Sequence, residues 1–159
     1  MRVLFVCTGN ICRSPMAAAI LRRLLDGRAV EEVEVTSAGT AAWDGAPASE
    51  GSYLVSLENG LDLSGHRARP ITTDIVADAD LILGMGTHHV ERADLLGGTG
   101  KAHLLGEYAG QSEDAAEVAD PFGGDLEEYR ATYARLSSLI EAALPRLQAE
   151  RPDADPGQH

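Results

Sequence analysis

The chain has 159 residues, 44 % of them hydrophobic, which is one domain's worth of sequence with enough apolar surface for a single core and argues against a multidomain protein. Thirteen Lys and Arg against 25 Asp and Glu leave a formal charge of -12, the wrong sign for a general nucleic-acid or anionic-membrane binder, so an anionic substrate has to be held by a local site. No apolar stretch is long enough for a membrane helix and the opening MRVLFVC is too short for a signal peptide, so the expected setting is the cytoplasm; the oligomeric state is open, with a monomer as the default.

In chain order, Arg2 to Val6 is a branched apolar run followed by Thr8-Gly9-Asn10, which predicts a strand ending in a turn where Gly9 and Asn10 tolerate unusual backbone angles. Ser14 is placed to cap, and Pro15 to open, a helix whose apolar face is Met16, Ala17, Ile20, Leu21, Leu24 and Leu25. Val33 to Ser37 alternates as a second strand, and Ala38 to Gly45 follows as a small-residue loop with the only tryptophan, Trp43. Helical signals cover Ala48 to Asn59, Thr72 to Ala79 and Thr87 to Leu95; strand signals cover Asp80 to Met85 and Lys101 to Leu105. Asp125 is expected to cap the last helix, with Glu128 completing a capping box. The stripe Tyr129, Tyr133, Leu136, Ile140, Leu144 and Leu147 predicts about six turns facing the core. Residues 151–159 read as a disordered tail. Strands separated by helices predict an α/β fold, a four-stranded and mostly parallel sheet with helices on both faces and no internal repeat.

Sites in such folds lie beyond the carboxyl ends of the strands, where the segment Cys7 to Arg13 falls. A loop of this length is able to turn its N–H groups toward one point while the next helix aims its positive end there, which suits a phosphate. It lacks the GxxxxGK[ST] pattern of a nucleotide loop and opens on a cysteine, so Cys7 is the candidate nucleophile. Inward N–H groups, the helix end and a guanidinium all favour its thiolate, and Ser14 is placed to donate a hydrogen bond to it. Arg13 has the planar fork that grips two phosphoryl oxygens. Thr8, Gly9, Asn10, Ile11 and Cys12 complete the loop. Cys7 and Cys12 are the only cysteines, too close for a structural disulfide to close a useful loop. Cys12 reads as core packing or as a partner that captures oxidised Cys7.

VLFVCTGNICRSPMA at positions 3–17 resembles the C-x5-R-S loop of the low-molecular-weight protein tyrosine phosphatases. Ser37-Ala38-Gly39-Thr40 with Trp43, His66-Arg67-Ala68-Arg69 and Asp120-Pro121-Phe122 are similar to later motifs of that family, in the same order. The resemblance covers roughly positions 2–148. It implies a phosphotyrosine protein phosphatase I-like fold with the phosphatase domain over residues 1–150, a phosphocysteine intermediate, and no metal or organic cofactor. It also implies that Asp120 is the general acid; positions 107–128 hold eight Asp or Glu and no Lys or Arg, so the residues alone leave that choice open. Asn10, Ser37 and His66 match the network that supports the loop in that family. His88 and His89 are expected to point in different directions on a helix with no cysteine near, so no metal site is expected.

Ile11, Trp43 and Phe122 are expected to form apolar walls suited to the ring of phosphotyrosine, so the expected partner is a phosphotyrosine-containing protein. DPFGG, the CTGN start and Leu104 to Tyr108 are also similar to the bacterial branch that contains protein arginine phosphatases, which keeps phosphoarginine as an alternative. Members of that branch tend to have threonine where this chain has Ile11, and isoleucine would crowd and desolvate a guanidinium. An arsenate reductase of the same fold needs further cysteines, and none follows Cys12. A non-catalytic phosphate-binding module is the remaining alternative; activity distinguishes it.

Overall fold

A computed structural model of the protein describes residues 1–30 and 32–151. Four strands form one sheet: β1 Arg2–Cys7, β2 Glu34–Gly39, β3 Leu81–Gly84 and β4 Ala102–Leu104. Their order is β2-β1-β3-β4, with every neighbouring pair parallel. The connecting helices are α1 Arg13–Gly27, α2 Glu50–Glu58, α3 Thr73–Asp78, α4 Thr87–Ala93, α5 Leu105–Tyr108 and α6 Leu126–Glu150.

β1 is apolar from Val3 to Cys7 without alternation because both of its faces are covered. Val3, Phe5 and Cys7 join the core built with Met16 and Leu21 of α1 and with Leu136 and Ile140 of α6. Leu4 and Val6 turn to the other face, where Val76 of α3 and Ala93 of α4 cover them. Each large side chain of the α6 stripe contributes on the order of 1.5–3 kcal/mol by leaving water. The parallel register sets Cys7 opposite Gly39, so β1 and β2 end together at one edge of the sheet.

Several expectations are corrected. The last helix has 25 residues, nearly a turn more than its apolar stripe suggests. Asp125 does cap it, its carboxylate accepting the Glu128 N–H at 3.0 Å, but the Glu128 carboxylate turns toward Gly124, so only half of the box is present. α4 stops at Ala93 and passes into a wide turn over Asp94–Gly98, because Gly97 takes φ 105. β4 stops at Leu104, and Leu105 starts α5, a short helix with no signal in the sequence. Of the expected tail, residues 152–159 lie outside the described residues. Among the described residues no helix is long and apolar enough to cross a membrane.

Candidate active site

β1 delivers Cys7 to the carboxyl edge of the sheet, residues 8–12 turn, and Arg13 begins α1. The turn is held from outside by its carbonyl oxygens. Cys7 O accepts from Thr40 N–H, Thr8 O from Ala41 N–H, Ile11 O from Ser49 N–H and Cys12 O from the Ser52 hydroxyl, at 2.8–3.1 Å. Asn10 O meets His66 Nε2 at 2.6 Å. Among the described residues the N–H groups of residues 8–12 meet no acceptor. With the carbonyls committed outward, these donors are left for the hollow of the loop, the arrangement that binds a phosphoryl group.

Asn10 is the strained point, a buried non-glycine residue at φ 56. All of its side chain is engaged. Nδ2 donates to Ser14 Oγ at 2.8 Å and to Ser37 Oγ at 2.9 Å, while Oδ1 accepts from Arg69 N–H at 3.0 Å. Because Ser14 Oγ already accepts from Asn10, its own proton is free for Cys7 Sγ, 2.9 Å away. That contact explains why Ser14 is not the helix cap: the N-cap is Cys12, no side chain caps the helix, and Pro15 sits in the first turn where its missing N–H is not needed. The uncapped end of α1 therefore presents its own N–H groups to the loop.

Arg13 is 5 % exposed. One terminal nitrogen donates to Val118 O at 2.9 Å and the other lies 3.5 Å from an Asp120 carboxylate oxygen. Its Nε–H is buried without an acceptor in the structure. An unmet buried donor costs on the order of 1–3 kcal/mol, and a bound oxyanion would satisfy it. Asp120 is positioned from its own loop, its other oxygen accepting Phe122 N–H at 3.0 Å. The cleft so formed has a volume of ≈ 190 Å³ and is lined by Cys7, Thr8, Gly9, Ile11, Cys12, Arg13, Asp120 and Phe122. Trp43 does not line it. Expected as a wall, it is 84 % exposed on the loop after β2, leaving Ile11 and Phe122 as the apolar walls.

Two residues gain definition from the tertiary structure. Cys12 sits 3.2 Å from Ser49 Oγ and 3.6 Å from the Tyr129 hydroxyl, and burial pushes its thiol up despite those contacts, so it stays protonated beside Cys7. His89, considered from sequence only as a metal ligand and set aside, is fully buried behind the loop with Nε2 2.8 Å from Thr8 Oγ1. Its Nδ1 accepts Gly86 N–H at 2.9 Å. Burial, then the charges of His88 and Arg13, lower its pKa to about 3, so the ring is neutral with its proton on Nε2, donating to Thr8. The Thr8 hydroxyl proton is thereby left to serve the cleft. Its neighbour His88 is exposed, although the two rings approach to 3.9 Å between centroids. Among the described residues no group of three His, Cys, Asp or Glu is arranged to hold a metal ion.

The family model described as low molecular weight phosphotyrosine protein phosphatase matches residues 2–153. A protein-arginine-phosphatase of Geobacillus stearothermophilus is 38 % identical over 154 residues, spanning 94 % of this chain and 98 % of that one. The probable low molecular weight protein-tyrosine-phosphatase EpsP of Ralstonia solanacearum is 37 % identical over 149 residues, spanning 92 % and 96 %. The structure of the YwlE arginine phosphatase, a cysteine-to-serine mutant with a phosphorylated active-site serine, superposes with a TM-score of 0.88 at 33 % identity, over 95 % of this chain and 98 % of that one.

Proposed function

We propose, since the chain belongs to the low molecular weight phosphotyrosine protein phosphatase family, that this cysteine-based phosphatase hydrolyses phosphotyrosine in proteins. The phosphoryl oxygens sit against the N–H groups of residues 8–12 and the Arg13 guanidinium, donors already in place before charge develops. Cys7 sulfur attacks phosphorus in line, the sulfur–phosphorus bond forms and the bond to the phenolic oxygen breaks. Asp120, as the acid, gives that oxygen its proton. In the second half Asp120 as carboxylate takes a proton from water, water oxygen attacks phosphorus, and Cys7 leaves as a thiolate that the Ser14 hydroxyl stabilises.

The choice of phosphotyrosine rests on Ile11, which lines the cleft together with Phe122. Their apolar surface suits a phenyl ring and strips water from a guanidinium without replacing it. A second reading, phosphoarginine, is supported by the arginine-phosphatase relatives and by the eight acids of positions 107–128, which suit a cationic leaving group. The absence of Trp43 from the cleft also removes one of the three walls that favour an aromatic ring.

The test is a comparison of hydrolysis rates on phosphotyrosyl, phosphoarginyl and phosphoseryl peptides at equal concentration. The phosphotyrosyl peptide is expected to be fastest. A faster phosphoarginyl peptide would replace this reading by the second, and turnover of none would leave a phosphate-binding module.

A further inference from the structure

A groove of ≈ 950 Å³ lies between α1 and residues 61–69, apart from the catalytic cleft. Arg22 and Arg23 of α1 and Arg67 and Arg69 of the loop line it. This chain carries a charge of -12, yet among the described residues none of these four guanidiniums has a carboxylate within 4.0 Å. Each donates only to backbone carbonyls: Arg22 to Val35 O, Arg23 to Asn59 O and Gly60 O, Arg67 to Ser64 O and His66 O, Arg69 to Ser37 O. The same groove has two carboxylates, Asp26 and Asp62, and Asp62 is engaged by Ser64 N–H at 2.8 Å. Four arginines with no carboxylate partner among the described residues, gathered around one groove, suit an external polyanion, and guanidiniums match phosphate oxygens in pairs.

The groove also shares residues with the support of the catalytic loop. His66 lines it and bonds Asn10 O; Arg69 lines it, and its N–H holds Asn10 Oδ1 while its Nε holds Ser37 O. We propose that this groove binds a small polyphosphate, free or carried on a nucleotide, as an effector whose occupancy is felt at Asn10 through His66 and Arg69. In the unliganded groove burial lowers the His66 pKa, the bond to Asn10 O opposes this, and Arg22 and Arg67 lower it further. A polyanion between those arginines reverses their contribution, favours the charged ring, and so strengthens its donation to Asn10 O.

The proposal is independent of which phosphoresidue is hydrolysed, since binding is read without turnover. The full chain, its catalytic loop saturated with vanadate, is titrated calorimetrically with inorganic tripolyphosphate and, separately, with ATP, at about 0.15 M salt. Binding of either is expected, tripolyphosphate alone indicating a free polyphosphate site and tighter ATP a nucleotide site. The Arg23→Ala variant, whose side chain holds only the exposed carbonyls of Asn59 and Gly60, is expected to lose at least tenfold in affinity while its basal turnover stays within twofold. In proton NMR the His66 titration midpoint is expected to rise on saturation. No binding of either anion, equal binding by the variant, or an unmoved His66 would overturn the proposal.

Discussion

His89 holds Thr8 across 81 positions of sequence, its Nε2–H donating to Thr8 Oγ1 over 2.8 Å. The proton is on that nitrogen because the other accepts Gly86 N–H, and burial keeps the ring neutral. The ring thus fixes the direction of a hydroxyl in the Cys7–Arg13 loop.

One consequence is a pH dependence of stability. His89 titrates at about 3 when folded against 6.5 as a free ring, so between those values the unfolded chain binds a proton that the folded chain refuses. The contribution is complete above pH 6.5 and is lost as pH falls toward 3. From neutral pH to about 4.5 the loss is on the order of 2 kcal/mol. Denaturant unfolding at both pH values should show that much less acid sensitivity in His89→Gln, and the wild-type ring should show no NMR titration between neutrality and mild acid. An imidazole titrating like a free one would remove the assigned tautomer.

On the proposed mechanism Cys7 is the nucleophile and Asp120 the acid, so their replacements should differ in kind. Cys7→Ser is expected to abolish turnover while retaining oxyanion binding by the loop amides and Arg13. Asp120→Asn should slow the reaction with phenolic substrates by about 10²- to 10⁴-fold, the scale of general acid catalysis, and by much less with leaving groups that depart unprotonated. Steady-state rates across a series of aryl phosphates check both; a uniform loss in Asp120→Asn would assign the acid elsewhere.

Ile11 lines the cleft and is the residue on which the proposed choice of phosphotyrosine rests. Ile11→Thr places a hydroxyl among the lining groups and is expected to raise the phosphoarginyl-to-phosphotyrosyl rate ratio by about tenfold, the lower end of what one small change in an apolar pocket contributes to discrimination. The ratio measured on paired peptides decides it, and an unchanged ratio would exclude Ile11 as the determinant.

Gly39 ends β2 against the catalytic loop. A Cβ there would lie 2.5 Å from Thr8 O and 2.9 Å from Asn10 N, and both are backbone atoms that would have to move. Gly39→Ala should therefore cost about 1–3 kcal/mol of stability, the range for overpacking, and weaken vanadate binding at temperatures where the variant is still folded. Thermal unfolding with and without vanadate separates the two effects.

Cys12 is held protonated beside Cys7 by burial. Mild peroxide is expected to oxidise Cys7 to a sulfenic acid, which Cys12 sulfur then attacks to form a disulfide with loss of water. Peptide mass spectrometry should find the Cys7–Cys12 bond and recovery of activity with dithiothreitol. Sulfinic and sulfonic acids at Cys7 as the only products would show that Cys12 is a packing residue.

The candidate phosphate loop is legible in the sequence by itself, because Cys7, Arg13 and the five residues between them are adjacent positions of one turn. The parallel α/β fold is legible for a related reason: the doubly buried β1 and the stripe of α6 are periodic signals of local geometry. What only the tertiary structure decided depends on distant segments meeting at that turn. The outward ties of the loop carbonyls come from residues 40–66, the clamp on Thr8 comes from α4, and the groove arginines converge from α1 and the 61–69 loop. Trp43 stands outside the cleft, and Ser14 serves Cys7 rather than the helix end. A hydrogen bond is a matter of ångströms and angles, so a residue's type states what it is able to donate or accept, and the fold alone chooses its partner.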